Sequence, residues 1–231
     1  MLSQETLYLS INLFDRYIQK IIIDNKKSED LNKIALACLF IASKNEEIYS
    51  PYLNDILNIS NKKYTKKDIT LKEDEILSSL DFQVITISPL LFLKIFCQSN
   101  DKETKMIFDC AQFFLELCLI EPKFCELKSS LQASICLYLA RKCILNDLRK
   151  NNIKVWTFDL TFKTNYSEIQ IKKYIKIVIK VIKNFFVNIY TKNYMAIPLY
   201  IKYMNFEYSR VSYKLKNIFI EKNNEKNIKT K

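Results

Sequence analysis

The chain of 231 residues contains no glycine and no histidine. Phosphate-cradling loops and dinucleotide fingerprints need glycine for close backbone approach and for positive φ, so nucleotide folds of those kinds are excluded. Without histidine the commonest general base and the commonest metal ligand are both missing, and few catalytic constellations can be assembled from what remains. Arginine occurs only at positions 16, 141, 149 and 210. A surface that reads nucleic acid by bidentate contacts favours arginine. The net charge of +11 therefore comes almost wholly from lysine. The lysine excess reads as spread along the chain and thickening after Tyr213, and as a compositional bias toward Lys, Asn and Ile more readily than as a dedicated nucleic-acid site. Seven cysteines form no C-x-x-C pair. Cys38, Cys110, Cys118, Cys136 and Cys143 sit in apolar helical patterns, which predicts buried thiols in a reducing compartment and no metal site.

What is present is hydrophobic periodicity, with 49% hydrophobic residues, enough for one large or two small domains. The chain is organised around Leu39 to Pro51, LFIASKNEEIYSP. Ile34 to Ala42 is an unbroken apolar run. Such a run belongs inside a bundle, and it is well short of the roughly 20 residues that span a bilayer. It ends in Ser43, Lys44, Asn45, Glu46 and Glu47, so a core helix emerges carrying charges at its exit.

The spacing predicts a helix from Leu2 to Gln19 with a stripe of Leu7, Ile11, Phe14 and Ile18, a polar loop over 24–30, and a helix from about Asp30 to Asn45. Pro51 is placed to open a short helix to about Asn58. Thr65 with Asp68 forms a capping-box signature at the start of a helix carrying Ile69, Glu73, Ile76, Leu77 and Leu80. Residues 81–89 read as an extended linker. Helices are predicted over about 89–97, 102–120, 127–146, 154–162, 167–188 and 195–203, with a fraying basic tail from about Glu221. The two halves resemble each other. CLFIASK (38–44) matches CLYLARK (136–142), Ala35 matches Ala133, and Tyr64-Thr65 matches Tyr166-Ser167, with Ser167 and Gln170 repeating the capping box.

ETLYLSINLFDRYI (5–18), LFIASKNEEIYSP (39–51), KYTKKDITLKEDEILSSLDF (63–82) and SSLQASICLYLARK (129–142) together resemble the cyclin family, nearest its mitotic A/B types. The resemblance covers most of residues 4–190. It implies an all-α fold of two tandem cyclin-box helical bundles of about five helices each: an N-terminal box over 1–85, a C-terminal box over 86–205 and a basic tail over 206–231. It implies a regulatory subunit that binds and activates a cyclin-dependent serine/threonine kinase in G2/M, with no catalysis of its own, no cofactor, no nucleic acid, no membrane, and a place in nucleus and cytoplasm.

Residue by residue, the resemblance makes Lys44 and Glu73 the kinase-binding pair and Ile48, Leu77, Phe82 and Val84 the apolar positions around it, with Phe82 as the anchor. On spacing alone, Lys44 and Glu73 are no more than surface charges or a weak ion pair. Asn45 departs from the family's usual aromatic residue. The family's first helix, with an Arg and a Trp in a pattern like M-R-x-x-L-x-x-W, has no counterpart here. The expectation is that an upstream segment completes the first box and supplies the partner of Asp15. Of the substrate-docking patch only Asn32 can be matched. Two other readings remain: a transcription factor B-like DNA-binding protein with the same doubled box, and a degenerate cyclin acting as a scaffold.

Overall fold

The computed structural model describes residues 2–24, 30–98, 102–147, 153–191, 196–216 and 218–219. Among them every regular element is helical: α1 (Gln4–Ile23), α2 (Leu31–Glu46), α3 (Leu53–Ile59), α4 (Lys66–Ser79), α5 (Pro89–Phe96), α6 (Lys102–Cys118), α7 (Pro122–Cys125), α8 (Ser129–Asp147), α9 (Phe158–Thr164), α10 (Glu168–Lys172), α11 (Ile175–Tyr190), α12 (Ile197–Lys202) and a 3₁₀ turn (Phe206–Tyr208). The chain divides into two compact units, Met1–Ser88 and Pro89–Lys231. Residues 25–29 of the loop expected over 24–30 and the tail from 221 lie outside the described residues. No described helix is long and apolar enough to cross a membrane.

In the first unit α2 is the central element, flanked by α1 and α4. Its apolar run buries Ile34, Ala37, Cys38, Ile41 and Ala42 almost completely, each large side chain contributing about 1.5–3 kcal/mol. Burial pushes the Cys38 thiol up to about 12, with the nearby Asp15 charge adding to it. The face that α1 turns to the core is Leu9, Leu13, Tyr17 and Ile21, an i, i+4 row. The row expected from spacing is the neighbouring one: Phe14 and Ile18 pack at the edge of the core and Leu7 is exposed. Both rows are apolar, and the docking of α2 decides between them. Asp15 stands at the surface, yet desolvation raises its carboxyl above the usual range. Nearby on α1, Asn12 Oδ1 and Arg16 Nη1 are buried without a hydrogen-bond partner.

The caps follow the sequence closely. Asp30 accepts from the Asn32 and Lys33 N–H groups to start α2. Thr65 accepts from the Asp68 N–H at 3.2 Å while Asp68 accepts from the Thr65 N–H at 2.8 Å, a reciprocal capping box. Pro51 does not open α3; it lies two residues ahead, and Asp55 caps the helix by accepting from the Tyr52 N–H at 3.1 Å.

In the second unit α8 holds the corresponding central place, packed against α5 and α6. Ser167 and Gln170 form the second capping box. Tyr64 donates to Asp30 at the start of α2 (2.8 Å), and Tyr166 shares a hydrogen bond with Ser130 at the start of α8 (3.0 Å). The same tyrosine tie therefore recurs in both units and joins the repeated elements that the sequence matches. Two boundaries differ from expectation. Helix α9 begins at Phe158 because Trp156 is buried and the Val155 carbonyl accepts from Arg141 Nε at 2.8 Å. The single helix expected over 167–188 is divided at Lys173–Tyr174, where Tyr174 N–H reaches only to the Ile171 carbonyl.

With no glycine in the chain, left-handed backbone falls on other residues. Asn61 and Lys62 end α3, and Asp81 and Phe82 follow α4, all with φ between 51° and 58°. At Lys62 and Phe82 this costs about 1–2 kcal/mol of local strain, whereas Asn and Asp accept it more readily.

Candidate functional site

Lys44 lies in the last turn of α2, where a cation complements the negative end of the helix dipole. Its Nζ also sits 4.3 Å from the centre of the Phe40 ring. Helix α4 turns Ile69, Glu73 and Ile76 inward, so Glu73 occupies the middle of an otherwise apolar i, i+4, i+7 row. A carboxylate there needs a partner. Lys44 Nζ donates to Glu73 Oε1, joining two helices across 29 residues of sequence. The two ends differ in exposure: the lysine side chain is 41% exposed and the glutamate 10%. The ammonium thus faces solvent while the carboxylate backs it from within the bundle. The second half of the repeat does not carry the same pair in sequence. At the 102-residue offset that relates Thr65 to Ser167, the counterpart of Glu73 is Ile175.

The expected apolar positions fall into two groups. Leu77, one turn after Glu73 on α4, and Val84 are partly buried and pack against the core of the first unit. Ile48 and Phe82 are open, at 93% and 69% exposure. Phe82 is turned outward by the left-handed pair Asp81–Phe82, held by Phe82 N–H donating to the Leu77 carbonyl at 2.9 Å. A large aromatic in a strained conformation with most of its surface in water gains nothing from burial in this chain.

Sequence reasoning missed two features. Tyr49, Tyr52 and Ile85 are also strongly exposed, flanking Ile48 and Val84 in sequence; the alternation of Val84 and Ile85 in an extended segment is the signal that could have placed Ile85 outward. Glu47 ties the segment after α2 to the start of α1. Its Oε1 accepts from the Ser3 N–H at 2.6 Å and from the hydroxyl of the fully buried Thr6. These bonds hold the Glu47 carboxyl below the usual range, the Thr6 hydroxyl contributing most. Asn45 is exposed and donates to Glu46 at 3.0 Å. Asn32 is exposed in the first turn of α2. Among the described residues no cluster of Cys, Asp and Glu could hold a metal ion, and all seven cysteines are free.

A doubled helical bundle with a solvent-facing ion pair joining two helices of its first unit defines a class, and comparison with known proteins supplies the family. Residues 1–85 match the model "Cyclin, N-terminal domain" and residues 87–214 match "Cyclin, C-terminal domain". Cyclin-B2-1 of Arabidopsis thaliana is 34% identical over 172 residues, which is 74% of this chain and 37% of that protein. G2/mitotic-specific cyclin-2 of Medicago sativa is 30% identical over 170 residues, covering 74% of this chain and 49% of that one. The crystal structure of a viral cyclin from herpesvirus saimiri aligns with a TM-score of 0.61 at 20% identity, covering 77% of this chain and 75% of that chain. The chain belongs to the cyclin family, and the relatives it resembles are mitotic B-type cyclins. It spans less than half the length of these two plant cyclins.

Proposed function

We propose that this chain is the regulatory subunit of a cyclin-dependent protein kinase acting at G2/M, and that the first unit grips the kinase through Lys44, Glu73, Ile48, Leu77, Phe82 and Val84. The observation that carries the reading is the Lys44–Glu73 pair, open on its ammonium side and flanked in sequence by the exposed Ile48 and Phe82. An ammonium can donate to carbonyls left unpaired at a helix end, and a carboxylate can accept from a free backbone N–H. Such contacts fix where a partner's backbone lies whatever its side chains are. In a protein kinase, activity depends on the position of the helix that carries the Glu of the catalytic Lys–Glu pair. A partner that binds only the active arrangement shifts the population toward it. Moving a kinase from about 1% to about 99% active takes about 5.5 kcal/mol of differential binding, within reach of two charge-to-backbone contacts and an aromatic anchor. The protein acts on its substrates only through that kinase, in nucleus and cytoplasm.

The experiment is affinity purification of the tagged chain from its own cells followed by a histone kinase assay. Kinase activity that co-purifies supports the reading. A co-purified kinase without added activity makes the chain a scaffold, and neither kinase nor activity removes the reading.

A further inference from the structure

The positive charge is not spread along the chain. Residues 1–88 contain 11 Lys and Arg against 13 Asp and Glu, net −2, whereas residues 89–231 contain 25 against 12, net +13. A compositional bias toward lysine would act on both units alike, so it does not explain this asymmetry. Residues 169–206 hold seven Lys and no Asp or Glu. Within it, Lys176, Lys180 and Lys183 recur at steps of four and three residues along α11, on one helix face about 10 Å long, and Lys173 lies just before that helix. All four are exposed and none forms an ion pair. By contrast, Lys172 pairs with Glu168 at 2.8 Å and Lys202 with the buried Glu116 at 2.7 Å. The opposite face of α11 buries Val178, Val181, Ile182, Phe185 and Phe186. The stripe continues past Lys183 to Tyr190, over whose ring Lys216 Nζ lies at 5.4 Å.

We infer that the lysine face of α11 is a binding surface for duplex DNA, contacting the phosphate backbone without reading sequence. Like charges held close together and unpaired repel one another, and a polyanion relieves that repulsion. The kind of partner follows from the side chains. Lysine offers point charges suited to phosphate, whereas carboxylate partners are best met by the arginine fork, and no arginine lies on this face. The apolar face of α11 is used in the core, so an anionic bilayer could hold this row by charge alone and without insertion. A duplex carries one charge per about 1.7 Å, a dense and regular array of phosphates for such a row to meet.

The test is fluorescence anisotropy of the full chain with a labelled duplex of arbitrary sequence, between about 50 and about 200 mM salt. Four phosphate contacts give a slope of log K against log salt of about −3 to −4, a loss of roughly 100-fold over that range. Replacing Lys173, Lys176, Lys180 and Lys183 together by Gln should weaken binding at least 10-fold and flatten the slope by about three. Replacing Lys20, Lys62, Lys66 and Lys67 of the first unit by Gln should change binding less than twofold. Equal losses in the two variants overturn the inference, as does loss on replacing Lys222, Lys226, Lys229 and Lys231 with the α11 variant unaffected. Binding of phosphatidylserine vesicles or polyglutamate, but not the duplex, also overturns it. Circular dichroism melting of each variant separates lost binding from lost fold. Kinase activation by the α11 variant stays at the level of the unaltered chain, so this surface and the kinase face fail or stand separately.

Discussion

Removing Lys44 should weaken the complex far more than it weakens the protein. In the free chain the Lys44–Glu73 pair has its ammonium 41% exposed, and pairs screened to that degree contribute about 0–1 kcal/mol. Lys44→Ala leaves Glu73 in a row that is otherwise apolar, which places the cost near the upper end of that range, about 1 kcal/mol. In the proposed kinase complex both groups would be buried, and truncating one partner of a buried charge contact costs about 2–5 kcal/mol, or roughly 30- to 5,000-fold in Kd. Urea unfolding of the free chain gives the first number and interferometry against an immobilised cyclin-dependent kinase gives the second. Glu73→Ala should behave alike, and the double variant should lose less than the sum, with a coupling of about 0.5–3 kcal/mol. If either single variant loses more than about 3 kcal/mol of stability while kinase affinity changes less than threefold, the pair is a structural clasp and the assignment fails.

Three further outcomes follow from the geometry. Lys62 sits at φ 58°, so Lys62→Gly should raise stability by about 0.5–1 kcal/mol in urea titration, because relief of left-handed strain exceeds the added freedom of the unfolded chain. The Glu47 carboxyl is held below its ordinary value by the Thr6 hydroxyl and the Ser3 N–H; its stabilisation is complete above about pH 4.5 and is lost as pH falls through the lower folded value. Stability of Glu47→Gln should therefore fall less steeply than that of the unaltered chain between pH 5 and 3. In the second unit the buried Tyr203 hydroxyl donates to Glu116 at 2.7 Å and accepts from Gln112 Nε2 at 3.0 Å. Tyr203→Phe should cost about 1–3 kcal/mol, read as a lower melting temperature.

Where local chemistry decides structure, the sequence carried it. The apolar run of α2, the Thr65–Asp68 and Ser167–Gln170 boxes and the doubled motif need only neighbouring residues, and each stands where its pattern points. Where tertiary packing decides, the pattern misled. Helix α1 has two apolar rows and buries the one that meets α2, and α9 starts late because Trp156 is claimed by the core. The pairing of Lys44 with Glu73 was suggested by resemblance and not by spacing. Nothing in the spacing of Lys44 and Glu73 says that two helices bring them together, and a left-handed Phe82 gives no signal in a chain that lacks glycine. The unpaired lysine row of α11 was obscured by counting charge over the whole chain instead of by unit.

The central claim is that the end of α2 and the end of α4 together form the surface that meets the kinase. Hydrogen exchange of the chain, alone and saturated with a cyclin-dependent kinase, tests it most directly. Slowed exchange over residues 44–49 and 77–85, with α11 unchanged, is the predicted footprint. Protection confined to the second unit, or none with the kinase demonstrably bound, would contradict it.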